Sequence, residues 1–302
     1  MILKDNQSAT QVVVLPAFGA SLHAFNILID KKALNIIDNY KNLEEARKEA
    51  GLSYKSSKLS PFPCRISKGK YSINEKEYEF KNKFTDGSAI HGLLYNKAFE
   101  VVDEFADENM ASLVLKYDYD HDDEGYPFRY RCEIRYLLRP GNMLKIQTVI
   151  SNLSETEIPL ADGWHPYFRL GGNANNWLLH FNAEAIVEFD DKLIPTGNLS
   201  VYNLFNESRS INDIQLDNCF VIEPEDGNAV CEIINPANGL KVSFFTDSSY
   251  PYLQVYTPGH RQSIAIENLS GAPDCFNNKM GLILLKPRHS QTFTVEYQAS
   301  FG

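Results

Sequence analysis

Three residues of the sequence stand in contexts that suit proton transfer near neutral pH. His165 lies within the run Gly-Trp-His-Pro-Tyr-Phe, Glu267 within Ser-Ile-Ala-Ile-Glu-Asn, and His91 within Ile-His-Gly. Histidine has an ordinary pKa close to neutrality, and a glutamate among apolar neighbours can be tuned into a general base. These three residues are therefore candidates for general acid and general base catalysis.

The segment that carries Glu267 predicts a β-hairpin. With a turn at residues 258–261, Tyr252 is expected to face Glu267 and Gln254 to face Ala265 across the two strands. One face of the hairpin then carries phenols, an amide and a carboxylate, and the other carries only aliphatic side chains. The mixed face resembles the floor of a polar cleft. Taken alone, Glu267 fits a solvent-exposed strand end better than a catalytic site.

The segment around His165 alternates as a strand does. His165, Tyr167 and Arg169 share one side, while large apolar residues share the other. Pro166 cannot donate a ladder hydrogen bond, so the strand is expected to be short, bulged or at an edge. An imidazole beside aromatic rings suits a pyranose, which offers C–H faces for stacking and hydroxyls for hydrogen bonds. A histidine that is satisfied by backbone within an aromatic cluster is the structural alternative.

Two further residues are candidates for binding a ligand. Arg65 follows a Pro-Phe-Pro-Cys run that restricts the local backbone, and a rigidly held guanidinium donates several hydrogen bonds. Asp217 offers a carboxylate close to Phe220. Both residues are also compatible with ordinary roles, as a surface ion pair and as part of a turn.

Other kinds of site find little support in the sequence. His91, His165 and Glu267 could in principle hold a metal, but no short-spaced pair of ligands such as His-x-His supports one. No Gly-x-Ser-x-Gly elbow indicates a serine hydrolase, and no glycine-rich phosphate loop indicates a nucleotide cofactor. We therefore expect neither a metal nor a cofactor.

The composition excludes several classes of partner. The chain has 302 residues, 43% of them hydrophobic, and a formal net charge of −10, which argues against nucleic acid or an anionic membrane as the main partner. No apolar run long enough for a transmembrane helix occurs, and the first residues turn polar at once, unlike a secretory signal. Five scattered cysteines without a Cys-x-x-Cys pair fit a reducing compartment, so we expect a cytoplasmic protein.

The dominant pattern along the chain is alternation of apolar and polar residues, for example at 112–117, 131–137, 145–150 and 292–297. Short turns rich in proline, glycine and asparagine separate such segments. Many antiparallel strands joined by short turns predict a sandwich or a barrel. Residues 42–50 instead predict a helix with Asn42 as its N-cap and Gly51 at its end, which we interpret as a surface insertion. No repeat or linker is evident, so residues 1–302 are expected to form a single domain.

Together these segments resemble the aldose 1-epimerase (galactose mutarotase) family. The matching motifs follow one another in the family's order: an arginine after Pro-Phe-Pro at 65, His-Gly at 91–92, Trp-His-Pro-Tyr-Phe at 164–168, Leu-Asp-x-x-Phe at 216–220 and the late glutamate at 267. Each motif alone is weak, whereas five in this order are specific. The resemblance implies a large antiparallel β-sandwich, a supersandwich, with the sugar in a cleft on one sheet.

The resemblance also implies a mechanism. Glu267 would act as the base that takes the proton from the anomeric hydroxyl, and His165 as the acid that protonates the ring oxygen as the ring opens. His91 would stabilise charge at the ring oxygen. Arg65 and Asp217 would hold ring hydroxyls, with Tyr167 and Gln254 also lining the sugar site. The substrate implied is a free aldohexose such as galactose or glucose, bound by a monomer or homodimer.

The sequence departs from the family at three positions. Cys64 replaces an asparagine, and Leu93 and Asn96 replace glycines after His-Gly. These replacements lie on the substrate side of the implied cleft, so they bear on the identity of the sugar rather than on the reaction. Related sugar-phosphate epimerases carry an arginine where this chain has Tyr95, which argues against a phosphosugar. A hexose-6-phosphate 1-epimerase and a non-catalytic carbohydrate-binding protein remain alternatives. A glycoside hydrolase is a weaker one, because only Glu267 of the two carboxylates it needs has a convincing context.

Overall fold

The computed structural model describes residues 1–29 and 31–302. Strands make up 48% of it and helices 7%, so the predicted mainly-β antiparallel fold is confirmed. The structure has several sheets, of which two large ones position the site described below. None of the helices in the described ranges is long and apolar enough to cross a membrane.

The strands and helices, in chain order, are β1 (Ile2–Asp5), β2 (Thr10–Leu15), β3 (Ser21–Ile29), β4 (Lys32–Asn35), α1 (Leu43–Ser53), β5 (Lys58–Leu59), β6 (Arg65–Ile66), β7 (Lys70–Ile73), β8 (Lys76–Glu79), β9 (Ala89–Ile90), β10 (Glu100–Ala106), β11 (Ala111–Asp120), β12 (Arg129–Arg139), β13 (Met143–Asn152), β14 (Ile158–Leu160), β15 (Gly163–Trp164), β16 (Tyr167–Phe168), β17 (Leu178–Phe181), β18 (Ala185–Phe189), β19 (Pro195–Ser200), β20 (Arg209–Ser210), β21 (Asp217–Val221), β22 (Cys231–Asn235), β23 (Leu240–Thr246), β24 (Tyr252–Tyr256), β25 (Ile264–Leu269), α2 (Cys275–Asn278), β26 (Ile283–Leu285) and β27 (Ser290–Phe301). Two short 3-10 helices cover Ser67–Gly69 and Ala174–Asn176.

Two large sheets form the centre of the molecule. A nine-stranded sheet has the order β10-β11-β12-β13-β27-β23-β22-β17-β20, and an eight-stranded sheet has the order β19-β18-β21-β24-β25-β15-β5, with β16 also paired to β25. Strands β1 to β4 form a separate four-stranded sheet. The strand pairs within the two large sheets are antiparallel, which is the arrangement that the short turns predict.

The core lies between the two large sheets. Side chains alternate between buried and more exposed along β13, so one face of that strand points into the core. Phe168 of the eight-stranded sheet contacts Phe244 and Tyr297 of the nine-stranded sheet, with ring centroids 4.8 and 5.2 Å apart. A single cluster of buried hydrophobic residues extends from Leu3 to Ala299. The opposite face of the eight-stranded sheet is thereby left free to carry polar groups.

Helix α1 confirms part of the predicted helix and corrects the rest. Asn42 caps it as expected, since its side chain accepts a hydrogen bond from the backbone N–H of Glu45. Gly51 does not end the helix, which continues to Ser53 and closes at Tyr54 in a left-handed conformation. The helix is not only a surface insertion either, because its last turn lines the cavity described below.

Candidate active site

A cavity of about 470 Å³ opens on the polar face of the eight-stranded sheet. Every residue predicted for the site lines it: Arg65, His91, His165, Tyr167, Asp217, Gln254 and Glu267. The catalytic candidates are almost fully enclosed, with His91, His165 and Glu267 only 8, 6 and 2% exposed. Segments far apart in the sequence thus meet in one pocket.

The hairpin that carries Glu267 has the predicted faces but a different register. Gln254, and not Tyr252, lies opposite Glu267, and Tyr256 lies opposite Ala265. The predicted turn forms, with the N–H of Arg261 donating to the carbonyl of Pro258. The flanking Thr257, however, bonds to Leu216 and leaves the hairpin ladder. This lengthens the loop and shifts the pairing by two residues, which keeps every side chain on its predicted face.

Local backbone contacts hold His165. Its N–H donates to the carbonyl of Ser57 at 3.1 Å, and its own carbonyl accepts from the N–H of Ser56 at 2.9 Å. Pro166 interrupts the strand between β15 and β16, as its missing N–H predicts. Gly163 permits the close approach of β15 to β25, since a Cβ there would lie 2.6 Å from the side chain of Leu269.

His165 and Glu267 form the centre of the cavity. Nε2 of His165 lies 3.3 Å from Oε1 of Glu267. The ring of Tyr167 stacks on the imidazole with centroids 4.9 Å apart and 9° between the planes. The other carboxylate oxygen of Glu267 is buried and has no hydrogen-bond partner within residues 1–29 and 31–302. It is therefore available to a bound molecule.

Burial shifts the protonation of both groups toward their neutral forms. It lowers the pKa of His165 to about 3. Burial, assisted by the negative charge of Asp217, raises the pKa of Glu267 well above its ordinary value. Burial thus disfavours the charged form of each group. A pair with a single shared proton can donate a proton to one atom while it accepts one from another.

His91 is held in one orientation by the backbone. The residue has a left-handed conformation, with φ of 57°, and is followed by Gly92 with φ of 73°. A Cβ on Gly92 would lie 2.2 Å from the carbonyl oxygen of Ser60, so only glycine fits. Nδ1 of His91 accepts from the N–H of Cys64 at 3.2 Å. Burial lowers the pKa of His91, so the neutral ring carries its hydrogen on Nε2 and acts as a donor there.

Two polar groups on the cavity wall are suited to sugar hydroxyls. Nε2 of Gln254 donates to Oδ1 of Asp217 at 2.9 Å, while the buried carbonyl oxygen of Gln254 has no partner in the described part of the chain. Arg65 pairs through Nε with Asp86 at 3.1 Å, which fixes the guanidinium at the cavity wall. Together these side chains supply hydrogen-bond donors and acceptors in the cavity that also holds the acid–base pair.

The cavity is not strongly positive. Lys55 and Arg65 line it, but Lys55 pairs with Asp38 at 3.0 Å and Arg65 pairs with Asp86. Glu49, Asp217 and Glu267 also line it. Two nearby arginines do not line it. Arg169, which shares a side with His165 in the sequence pattern, is exposed, and Arg261 donates to the carbonyls of residues 213 and 214.

One group of side chains has the composition of a metal site. Donor atoms of Cys64, His91 and Glu267 lie within 4.8 Å of one another. Two features oppose coordination. Nδ1 of His91 already accepts from a backbone N–H, which leaves the hydrogen on Nε2, and burial raises the pKa of the Cys64 thiol well above its ordinary value, whereas a metal binds the thiolate.

The structure adds site residues that the sequence did not reveal. The last turn of α1 contributes Ser53, followed by Tyr54, whose ring lies 4.6 Å from that of His91, and by Lys55. The hydroxyl of Tyr167 donates to the carbonyl of Ser53, which ties this segment to the acid–base pair. These contacts join distant parts of the chain, and no local sequence pattern signals them. Cys64 also lines the cavity.

The fold and this cavity define a mainly-β protein with one polar ligand cavity on a large sheet, and comparison with known proteins gives its family. The family model described as Aldose 1-epimerase matches residues 2–298, so the chain belongs to that family. A galactose mutarotase-like protein from Clostridium acetobutylicum has a similar structure, with a TM-score of 0.87 and 20% identity over 98% of this chain and 94% of its own. The predicted supersandwich fold is thereby confirmed.

Two relatives are similar in sequence. The uncharacterized protein YihR of Escherichia coli (strain K12) is 27% identical over 247 residues, which cover 79% of this chain and 77% of YihR. The maltose epimerase of Levilactobacillus brevis is 24% identical over 263 residues, covering 80% of this chain and 75% of that enzyme. Family membership supports an isomerase that acts on carbohydrates.

Proposed function

We propose that this protein is an aldose 1-epimerase that interconverts the α and β anomers of an unphosphorylated aldohexose. The observation that carries the proposal is the contact between Nε2 of His165 and Oε1 of Glu267, 3.3 Å long, in an enclosed cavity whose walls offer partners for hydroxyl groups. The anomeric hydroxyl and the ring oxygen are bonded to the same carbon, so an acid and a base that serve both must lie close together.

The mechanism moves one proton from the anomeric hydroxyl to the ring oxygen. With the sugar bound, the proton that the pair shares lies on His165 and Glu267 is a carboxylate. Glu267 takes the hydroxyl proton as His165 delivers the shared proton to the ring oxygen, and the bond between C1 and that oxygen breaks. The open-chain aldehyde then rotates about its C1–C2 bond. Closure with the two groups in exchanged roles gives the other anomer and restores the pair. Each positioned proton-transfer group typically supplies about 10²–10⁴-fold in rate.

The remaining cavity residues have binding roles in this proposal. Nε2–H of His91 donates to the ring oxygen and stabilises the charge that develops there. The free carbonyl oxygen of Gln254, the carboxylate of Asp217 and the guanidinium of Arg65 bind ring hydroxyls, and Tyr167 holds the imidazole of His165 by stacking. The bound sugar would be a free aldohexose such as galactose or glucose.

The charges of the cavity favour a neutral sugar over a sugar phosphate. A phosphate group needs cations that are free to bind it. Within the described lining, the side-chain cations Lys55 and Arg65 are both paired with carboxylates, and Glu49 and Asp217 add further carboxylates. Glucose 6-phosphate would therefore meet net repulsion.

Polarimetry tests the proposal directly. Freshly dissolved α-D-glucose and α-D-galactose should reach anomeric equilibrium faster with the protein than in buffer, and glucose 6-phosphate should not. Glu267→Gln should lose this acceleration. Glu232→Gln is its matched control, because Glu232 is a carboxylate of the nine-stranded sheet that pairs with Lys241 away from the cavity. It should keep the wild-type rate. Equal rates for wild type and buffer with both free sugars would refute the proposal and leave a carbohydrate-binding role.

A further inference from the structure

A fully buried ion pair lies directly behind the segment that carries His165. Nζ of Lys58 is 2.5 Å from Oδ1 of Asp162, and both side chains are 0% exposed. The hydroxyl of Tyr250 donates to the same Oδ1 at 2.7 Å. Lys58 also donates to the carbonyl of Gly163 at 3.2 Å, and its Nζ lies 4.6 Å from the ring centroid of Trp164. We call Lys58, Asp162 and Tyr250 the buried charge cluster.

The cluster stands where the strands of the acid and the base meet. On one side, Lys58 pairs with Trp164 between β5 and β15, next to His165. The two residues before Lys58 are Ser56 and Ser57, which hold the backbone of His165. On the other side, the N–H of Asp162 donates to the hydroxyl of Ser270, and the N–H of Ser270 donates to the carbonyl of Asp162. Ser270 directly follows β25, the strand of Glu267.

Stability alone does not account for such a cluster. Removing two charges from water costs more than a buried pair generally returns, and apolar residues of similar volume are often equally stable in such places. Apolar residues could not make the directed contacts seen here. Lys58 contacts the Gly163 carbonyl and the face of Trp164, and Asp162 accepts a hydrogen bond from the Tyr250 hydroxyl. These contacts determine where β15 lies relative to β5 and β25.

We propose that Lys58, Asp162 and Tyr250 are positioning residues that set the separation of His165 and Glu267. The cluster touches neither the cavity nor a bound sugar; it acts through the backbone of residues 163–165. This inference rests on the proposed function of the His165–Glu267 pair. Displacing catalytic groups by about 1 Å can cost about 10²-fold in rate, so loosening β15 should lower kcat and leave sugar binding largely intact.

The test compares variants that remove the cluster with one that removes an equally buried hydrogen bond elsewhere. Lys58→Met with Asp162→Leu removes both charges together and leaves neither unpaired. Tyr250→Phe removes only one hydroxyl. Tyr71→Phe is the control, because its hydroxyl donates to the carbonyl of Gly125 at 2.7 Å, and its strand β7 pairs with β8 in a sheet separate from that of β15. Steady-state mutarotation gives kcat and KM, thermal melting gives stability, and imidazole NMR signals report on His165.

The double variant should lower kcat by about tenfold or more while KM stays within about twofold, at a melting temperature similar to that of Tyr71→Phe. Tyr250→Phe should lower kcat several-fold and shift the His165 signals, and Tyr71→Phe should do neither. If the double variant does not fold, kcat and the His165 signals of Tyr250→Phe alone test the inference. Unchanged kcat and unchanged His165 signals in Tyr250→Phe would overturn the inference. The NMR signals remain informative if the wild type fails to accelerate mutarotation, so failure of the proposed function is recognised separately.

Discussion

Gln254 and Glu267 are direct cross-strand partners on β24 and β25, so their side chains lie next to each other on the same face of the sheet. The amide of Gln254 binds Asp217, and the carboxylate of Glu267 is the proposed base. The amide therefore separates two acidic groups that share one cavity. It holds Asp217 through its N–H, and its carbonyl oxygen is buried without a hydrogen-bond partner among the described residues. This relationship makes Gln254 a binding residue whose loss should be separable from catalysis.

Gln254→Met should raise KM about tenfold and change kcat little. Methionine is similar in size but offers neither the bond to Asp217 nor the free carbonyl oxygen, and one to two hydrogen bonds of about 0.5–1.5 kcal/mol each account for that change. Initial rates of mutarotation over a range of galactose concentrations provide the measurement. Gln291→Met, on β27 outside the cavity, is the control. A fall in kcat with an unchanged KM would contradict this role.

Gly92→Ala should disable the site by displacing His91. The added Cβ would lie 2.2 Å from the carbonyl oxygen of Ser60, so the backbone of residues 91–92 has to move. We expect a loss of about 1–3 kcal/mol in unfolding free energy, measured by urea denaturation, and a fall in kcat of at least tenfold. Gly87→Ala is the control, because Gly87 also has a positive φ but an added Cβ there would meet no atom within 4 Å. It therefore shows the effect of backbone strain without a steric clash. Its kcat should remain that of the wild type; equal losses in both variants would contradict the assignment.

The unfolding free energy should fall as the pH falls from 7 to 5, because burial keeps His165 neutral in the folded protein. The pKa of His165 is about 3 in the folded protein and about 6.5 in the unfolded chain, so the unfolded chain binds more protons below pH 6.5. The stability of the fold therefore falls as the pH falls from 7 to 5, by about 2 kcal/mol from this residue. Glu267 acts in the opposite sense, because its pKa is raised on folding and its contribution declines as the pH rises above 4.5.

The comparison is cleanest in a Glu267→Gln background, which removes the opposing carboxyl group. Chemical denaturation of Glu267→Gln should show a lower unfolding free energy at pH 5 than at pH 7. Adding His165→Gln should make that decrease smaller by about 2 kcal/mol. Because His91 is present in both variants, its contribution to the pH dependence cancels in the comparison. The same loss with and without His165 would show that the imidazole is not held neutral by burial.

Metal removal should leave the activity unchanged. The donor atoms of Cys64, His91 and Glu267 lie close together, but the orientation of His91 and the raised pKa of the thiol both oppose coordination. Mutarotation rates before and after exhaustive dialysis against EDTA provide the measurement. A rate that falls on dialysis and recovers with added zinc would show that these three residues hold a metal.

Alternation in the sequence assigned faces to Glu267 and His165, and the order of the five family motifs gave them their proposed catalytic roles. Glu267 alternates with aliphatic residues that enter the core, and His165 alternates with Trp164 and Phe168, which are also in the core. Alternation assigns the face of a side chain irrespective of the pairing register. The two-residue shift between β24 and β25 therefore changed the partner of Glu267 but not the cavity it enters.

Other features depend on contacts between distant segments, which no local pattern encodes. The helix continues beyond Gly51 because its end packs against the site, where Tyr54 meets His91 and Ser53 accepts from Tyr167. The pairing of Lys58 with Asp162 joins residues 104 positions apart. A lysine in a short polar segment gives no indication that it will be fully buried, since lysine is rarely buried without a partner.

The most direct test of the account is a double-mutant comparison of the catalytic pair. Rates of anomer exchange for wild type, Glu267→Gln, His165→Gln and the double variant are measured by exchange NMR at saturating sugar. Groups that act as a unit give non-additive losses. We predict that each single variant loses about 10²–10⁴-fold in kcat with little change in KM, and that the double variant loses scarcely more than either. Single variants that retain near-wild-type kcat, or losses that simply multiply in the double variant, would contradict the claim that His165 and Glu267 share one proton in turnover.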